Sequence, residues 1–328
     1  MIASVFLLLA VLATSSSSHS LPAPTGTRLL VMGGYNKSTD TSALAAMEYY
    51  FPENPGYNTL LHTHLLQARM GHASVVIEGD KVLVMGGGNN VVPYLQSTET
   101  FTSKSQSEQL STAMKTKRFA FGAAVLNGTV YACGGFTSSL SGRTSCERRN
   151  GQGIWQTTSS MNTPRTYFPL VALNGQLYAS GGIVSEKLST LPGGDNIPTD
   201  TVERFNPATE TWVPVRRMIE KRGFHAGALL NGYIYVCGGV THAEAMEGTT
   251  SCEKYNAKRD RWTKVASMKL WRAEFSLVAS DRKLYAVGRD TGPGAGNTVE
   301  EYDPDTDKWT LLETKLIVPR KYATVVVV

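Results

Sequence analysis

The stretch LNGYIYVCGGV, Leu230 to Val240, has a near twin about a hundred residues earlier, LNGTVYACGGF from Leu126 to Phe136. A third copy between them, LNGQLYASGGI from Leu173 to Ile183, keeps everything except the cysteine. Each copy reads as one half of a hairpin. The Asn-Gly pairs at Asn127, Asn174 and Asn231 suit the tight turns that join antiparallel strands, where positive φ is required. A β-rich run follows each of them and ends in two glycines, which let the chain turn where a Cβ would clash.

Working outward, paired glycines recur at Gly33-Gly34, Gly86-Gly87, Gly134-Gly135, Gly181-Gly182 and Gly238-Gly239, with a worn sixth copy at Gly288-Arg289. The spacing is about fifty residues, the period of a propeller blade. A glutamate follows each pair in the next strand: Glu48, Glu99, Glu147, Glu203, Glu253 and Glu300. An arginine opens the strand at the end of each unit: Arg69, Arg118, Arg165, Arg222, Arg272 and Arg320. Four units also carry a tryptophan, at Trp155, Trp212, Trp262 and Trp309. Each unit therefore reads as four strands, a to d. Strand a follows the arginine, b ends in the glycines, c carries the glutamate and d the tryptophan.

The repeat begins at a strand b, RLLVMGG, and finishes with a strand a, PRKYATVVVV. The last strand is expected to complete the first blade and close an all-β, six-bladed propeller over residues 28–328. Closure removes the strand edges that would otherwise template aggregation. Truncating the final eight residues is expected to be unusually damaging.

The pattern Gly-Gly, Val-Glu-x-Tyr, Trp, Pro-Arg resembles the kelch repeat over essentially everything after residue 27. It is most similar to the propeller half of the kelch-like (BTB-kelch) adaptors, without the BTB part. The departures are Arg289 in the sixth pair, the missing tryptophan in the first two units, and Arg149 where an aromatic usually follows the glutamate.

Composition is globular: 41% hydrophobic, 18% charged, net charge +5. The basic residues are scattered and form no run or basic helix of the kind that tracks a phosphate backbone, so nucleic acid is not expected as a partner. The run Ile2 to Ala13, IASVFLLLAVLA, is too short to span a bilayer and fits the apolar region of a secretory signal over residues 1–20. Ser18 and Ser20 suit cleavage before Leu21, although no Lys or Arg precedes the run; a linker, 21–27, follows. The expected location is extracellular, with no membrane insertion of the mature chain. A cytoplasmic location follows if the run is not a signal.

The four cysteines, Cys133, Cys146, Cys237 and Cys252, occupy two sites of the repeat in the third and fifth units. One precedes the glycines of strand b; the other precedes the glutamate of strand c. These are expected to be neighbours on one face of antiparallel strands, which favours bridges Cys133–Cys146 and Cys237–Cys252 in an oxidising compartment. The other reading is that cysteine serves as a small buried apolar residue. Sequons at Asn36 (NKS) and Asn127 (NGT) become glycosylation candidates on secretion, Asn36 as the start of a long b–c loop.

No catalytic constellation emerges. Six copies of Glu and Arg point to a structural ladder of charge-assisted hydrogen bonds rather than to one reactive centre. His62 and His64 in HTH would share a strand face but lack a third ligand; His72 and His225 fall at one repeat position. GPGAG, Gly292 to Gly296, lacks the Lys-Ser/Thr and helix of a phosphate loop. No cofactor and no metal is expected, and the chain reads as a non-enzyme.

Resemblance to the kelch-like adaptors implies partner-contacting side chains two residues past each repeated arginine, near the channel mouth. Those positions are Gly71, Ala120, Tyr167, Phe224, Glu274 and Tyr322. Tyr167, Phe224, Glu274 and Tyr322 are the expected binding face, aromatic with one acid and without arginines suited to acidic peptides. Packing of these aromatics under loops is the alternative. The function expected is a non-catalytic secreted module that binds a protein or peptide, or a glycan, on its loop face. Two other readings stand beside it. One is a secreted sugar-modifying enzyme resembling the sialic-acid epimerases, using Arg and Glu in the channel. The other is an intracellular adaptor of the cullin-linked or actin-binding type, for which no helical region of the BTB kind precedes the first blade.

Overall fold

A computed structural model describes residues 26–36, 42–104, 107–137, 143–184, 197–242, 248–289 and 296–328. The signal segment expected over 1–20 lies outside them, as does most of the linker. Six four-stranded antiparallel sheets follow one another, each in the order a-b-c-d. Blade 2 runs Ala73–Val76, Lys81–Met85, Thr98–Thr102 and Ser107–Ser111. Blade 3 runs Gly122–Leu126, Thr129–Cys133, Cys146–Arg149 and Trp155–Thr158. Blade 4 runs Leu170–Leu173, Gln176–Ser180, Val202–Asn206 and Thr211–Val215, with a small extra hairpin of Ile183–Val184 and Ile197–Pro198 in its b–c link. Blade 5 runs Ala226–Leu230, Tyr233–Cys237, Cys252–Asn256 and Arg261–Val265. Blade 6 runs Ser276–Ser280, Lys283–Val287, Val299–Asp303 and Lys308–Leu311.

Blade 1 is the split one. Its strands b, c and d are Leu29–Met32, Met47–Tyr50 and Thr59–Leu60, and its strand a is Thr324–Val327 from the far end of the chain. Leu30 lies opposite Val326 and Val31 opposite Val325. The ring of six is closed as the sequence predicts.

Strand b is buried along nearly its whole length in every blade, because each sheet is covered on both faces by its neighbours. That is why RLLVM and YIYVC read as continuous apolar runs rather than as alternating ones. The core is divided accordingly into six clusters, one between each pair of successive blades. The tryptophans stitch these interfaces. Each indole Nε1 donates to a carbonyl just past strand d of the preceding blade: Trp155 to Thr112, Trp212 to Ser159, Trp262 to Arg216 and Trp309 to Ala266, at 2.9–3.0 Å.

The repeated glutamates and arginines are buried, none more than 3% exposed, and they pair within each blade. The pairs are Arg69–Glu99, Arg118–Glu147, Arg165–Glu203, Arg222–Glu253, Arg272–Glu300 and Arg320–Glu48, at 2.6–3.2 Å. Each guanidinium also donates to the carbonyl of the first glycine of its pair position, from Gly33 to Gly288. Each carboxylate accepts backbone N–H groups from the link that enters the blade, as Leu66 donates to Glu99 and Ile317 to Glu48. The ladder therefore fastens every d–a crossover to its blade, in the charge-assisted form that the desolvation of both ions demands.

His62 and His64 lie in such a crossover rather than on a strand face, because strand d of blade 1 ends at Leu60. Both are exposed, and His64 Nδ1 lies 2.7 Å from the His62 carbonyl oxygen.

Candidate functional site

The six positions two residues past each arginine converge at one mouth of the central channel. Gly71, Ala120, Tyr167, Phe224, Glu274 and Tyr322 all line a cavity of about 230 Å3 there. All six take the left-handed backbone conformation, with φ between 51° and 62°. Non-glycine residues adopt it rarely, and here a shared device holds them. The amide of each residue donates to the carbonyl of its counterpart in the neighbouring blade. Ala120 donates to Gly71, Tyr167 to Ala120, Phe224 to Tyr167, Glu274 to Phe224, Tyr322 to Glu274 and Gly71 to Tyr322, at 2.8–3.2 Å. The result is a closed circle of six backbone hydrogen bonds around the axis.

On this symmetric collar the side chains are asymmetric. Tyr167 and Phe224 stack with ring centroids 4.0 Å apart, and Tyr322 lies 5.9 Å from Tyr167. The Tyr322 hydroxyl donates to Glu274 Oε1. Burial pushes the Tyr167 and Tyr322 hydroxyls up, and Glu274 nearby adds to both, so they remain protonated donors at neutral pH. Tyr167, Phe224, Glu274 and Tyr322 are thus brought together, with the aromatics partly packed on one another and partly open.

Two cations that sequence reasoning did not place complete the mouth. Arg289 Nη1 donates to Glu274 Oε2 at 2.7 Å, and Lys321 Nζ lies 3.6 Å from the same oxygen. Lys321 also covers the rings of Tyr35 and Tyr322, at 4.9 and 5.2 Å. Arg289 stands at the second-glycine position of blade 6. In the other blades a Cβ at that position would meet backbone or a side chain within 3 Å, as at Gly34 and Gly239. Arg289 is not among the residues of positive φ, and this different backbone course admits its side chain. The six collar positions themselves hold no arginine, and Arg289 reaches the mouth from outside that ring: the break in the glycine pair was the visible signal, and its destination was not.

Beside the collar, on the loop side, a second cavity of about 220 Å3 is lined by Met70, Asn89, Pro93, Tyr94, Phe119, Phe136 and Tyr167. Phe119 and Phe136 are joined by a two-way backbone bridge, and both rings meet Tyr167 edge-on, at 6.2 and 5.7 Å. The Phe119 ring also occupies the slot above Gly71, where a Cβ would come within 2.5 Å of it.

Deeper in, the channel is walled by small and apolar residues of the a strands, including Ala123, Gly227, Leu277 and Val325. His72 and His225 line the mouth cavity against the glycine pairs, and burial depresses both imidazoles, His225 to about 3. They are neutral at ordinary pH. Among the described residues no group of three or more His, Cys, Asp or Glu is placed to hold a metal ion.

The cysteines form two disulfides, Cys133–Cys146 and Cys237–Cys252, between directly opposed residues of strands b and c. The same paired site holds Met32/Met47, Met85/Thr98, Ser180/Val202 and Val287/Val299 in the other blades. It is a buried contact that two blades make covalent. Of the sequons, Asn127 sits on an exposed turn with φ 50°. Asn36, expected on an exposed loop, is instead 6% exposed. The preceding Tyr35 is bridged to both Ala43 and Lys321, which pins the chain down at this point; residues 37–41 lie outside the described residues.

Comparison with known proteins agrees with this architecture. The Kelch motif matches residues 164–219, 221–269 and 272–315, which are the fourth to sixth units. Kelch-like protein 36 of Rattus norvegicus is 36% identical over 103 residues, 31% of this chain and 17% of that protein. Kelch repeat and BTB domain-containing protein 1 of Camelpox virus (strain CMS) is 30% identical over 125 residues, 38% and 22% of the two chains. The match thus spans about a fifth of those relatives' length. The solved structure of YjhT aligns with a TM-score of 0.67 over 86% of this chain and 96% of its own, at 12% identity, which speaks for the fold alone. With motif, ladder and ring closure together, the chain is a six-bladed β-propeller whose fourth to sixth units carry the Kelch motif.

Proposed function

We propose that this propeller is a non-catalytic, secreted interaction module that binds a protein or peptide at the collar end of its channel. The observation that carries the reading is the contrast at that end. A sixfold backbone circle presents five kinds of side chain at its six positions, with Tyr167, Phe224, Glu274 and Tyr322 gathered together and Arg289 beside them. Variable side chains on a rigid frame are how loops carry recognition. Aromatic and arginine groups are the commonest anchors of protein interfaces. Kelch propellers typically serve as protein-interaction modules, which supports the same reading. The two disulfides favour an oxidising compartment, in contrast to the mainly intracellular relatives.

The test is an array of extracellular proteins and glycans probed with the protein secreted from cultured cells. Partners should be lost by the Tyr167→Ala/Tyr322→Ala pair, at least tenfold in Kd, with the fold intact by circular dichroism. Binding that survives the double substitution overturns the face. Non-reducing peptide mapping of the same secreted material should return both bridges and a chain starting near Leu21. Four free thiols in a retained chain would turn the search to the cytosolic adaptor reading.

One observation favours a second reading. Glu274 and Arg289 form a charged pair beside two tyrosines at a channel mouth, the residue types a sugar-modifying propeller would use. Sialic acids incubated with the protein should show no anomeric exchange above the uncatalysed rate by NMR, and catalysed exchange would make this the leading reading.

A further inference from the structure

The cavity between the b–c loops of blades 2 and 3 has a more specific chemistry than the collar it adjoins. Its walls are Met70, Pro93, Tyr94, Phe119, Phe136 and the flank of Tyr167. The remaining lining residue, Asn89, has its amide committed. Its Oδ1 accepts from Val91 N and Val92 N, and its Nδ2 donates to the Ala68 carbonyl. Those bonds also brace the loop that forms one wall, so the pocket is built into the structure before any ligand arrives. At about 220 Å3 it falls below the roughly 300–1,000 Å3 of sites that enclose a whole small molecule. It is the size of a socket for one side chain.

The surroundings indicate what carries that side chain. Phe119 reaches Tyr322, ring to ring at 6.4 Å, and Tyr322 leads to Glu274, Arg289 and Lys321. One carboxylate there faces two cations, which leaves a surplus positive charge beside the apolar socket. Val91, 89% exposed, stands on the braced loop as further apolar contact surface. Resting on the reading of the collar as a protein-binding face, we infer that the socket seats one large apolar side chain, Leu, Met or Phe, of an extended peptide segment whose neighbouring acidic residue meets Arg289 and Lys321. A polar anchor would give up water against walls that are mostly apolar and whose one amide, Asn89, is already committed, which sets the preference for an apolar one.

The experiment is selection of a random twelve-residue phage-displayed peptide library on the intact protein, followed by synthesis of the enriched peptides. Enrichment of one large apolar residue with an acidic residue within a few positions is the expected result. Replacing that apolar residue by Ala should weaken binding at least tenfold to the wild-type protein, and much less to Tyr94→Ala or Met70→Ala, because those variants have already lost the socket. Arg289→Ala should weaken binding independently of them. Peptides that bind Tyr94→Ala and Met70→Ala as tightly as wild type, yet are lost with Tyr167→Ala/Tyr322→Ala, would overturn the socket and leave the face standing. Peptides indifferent to all these variants, or no enrichment at all, would overturn both.

Discussion

Glu108 stands where four other blades carry tryptophan. It lies opposite Phe101 in strand d of blade 2, as Trp212 lies opposite Phe205. Burial, reinforced by Glu99, raises its carboxyl to about 7, despite the pull of Arg69. A carboxyl whose folded pKa exceeds its unfolded value of roughly 4.3 favours the fold while protonated in both states, and that contribution is lost as pH rises through 7. Glu108→Gln should therefore raise the melting temperature at pH 8 and leave it nearly unchanged at pH 4; a gain at both would sink the assignment. Single residues also mark the limits of the sequence. Six glutamates and six arginines announced the buried ladder, since only a structural role repeats sixfold. Arg289 announced a break, but that it meets Glu274 depends on how the chain bends after Gly288, which no spacing encodes. Asn36 was misplaced because a sequon and a long loop carry no information on local packing.

Strands and hairpins were the most legible level. Asn127, Asn174 and Asn231 all take φ near 50° in their turns, and Asp281-Arg282 reaches the same geometry in blade 6 without the signal. The b–c pairs that carry the cysteines are the elements on which stability can be tested. In blade 6 the corresponding pair is Val287 opposite Val299, so valine is a tolerated occupant. Cys237→Val/Cys252→Val keeps the apolar contact and removes the constraint on a loop of sequence separation 15, worth about 3 kcal/mol in the chain-entropy account. The variant should melt several degrees lower than wild type in oxidising buffer and near it in reducing buffer. An equal gap in both would mean that packing, not the bridge, is what the valines disturb.

The whole molecule is held shut by its last strand. Thr324–Val327 supplies the inner strand of blade 1, and Arg320 from the same segment pairs with Glu48 across 272 residues of chain. Removing residues 321–328 would expose an edge of Leu29–Met32 and strip the blade 6–blade 1 cluster of Val325. That truncation should yield soluble aggregate or unfolded chain by size exclusion. A monomeric truncated protein with an unchanged melting temperature would show that closure is dispensable.

The circle of amides at the channel mouth separates what is held from what is shown. Each collar position is fixed through its own backbone and its neighbour's, so its identity is free to change without loosening the frame. Two constraints remain on that freedom. The left-handed conformation disfavours Val, Ile and Thr, and the slot at Gly71 is already taken by the Phe119 ring. Five of the six sites therefore act as an alphabet of exchangeable letters on a fixed dial, and a new binding specificity can be spelled there, by evolution or by a designer's library, without rewriting the fold beneath it.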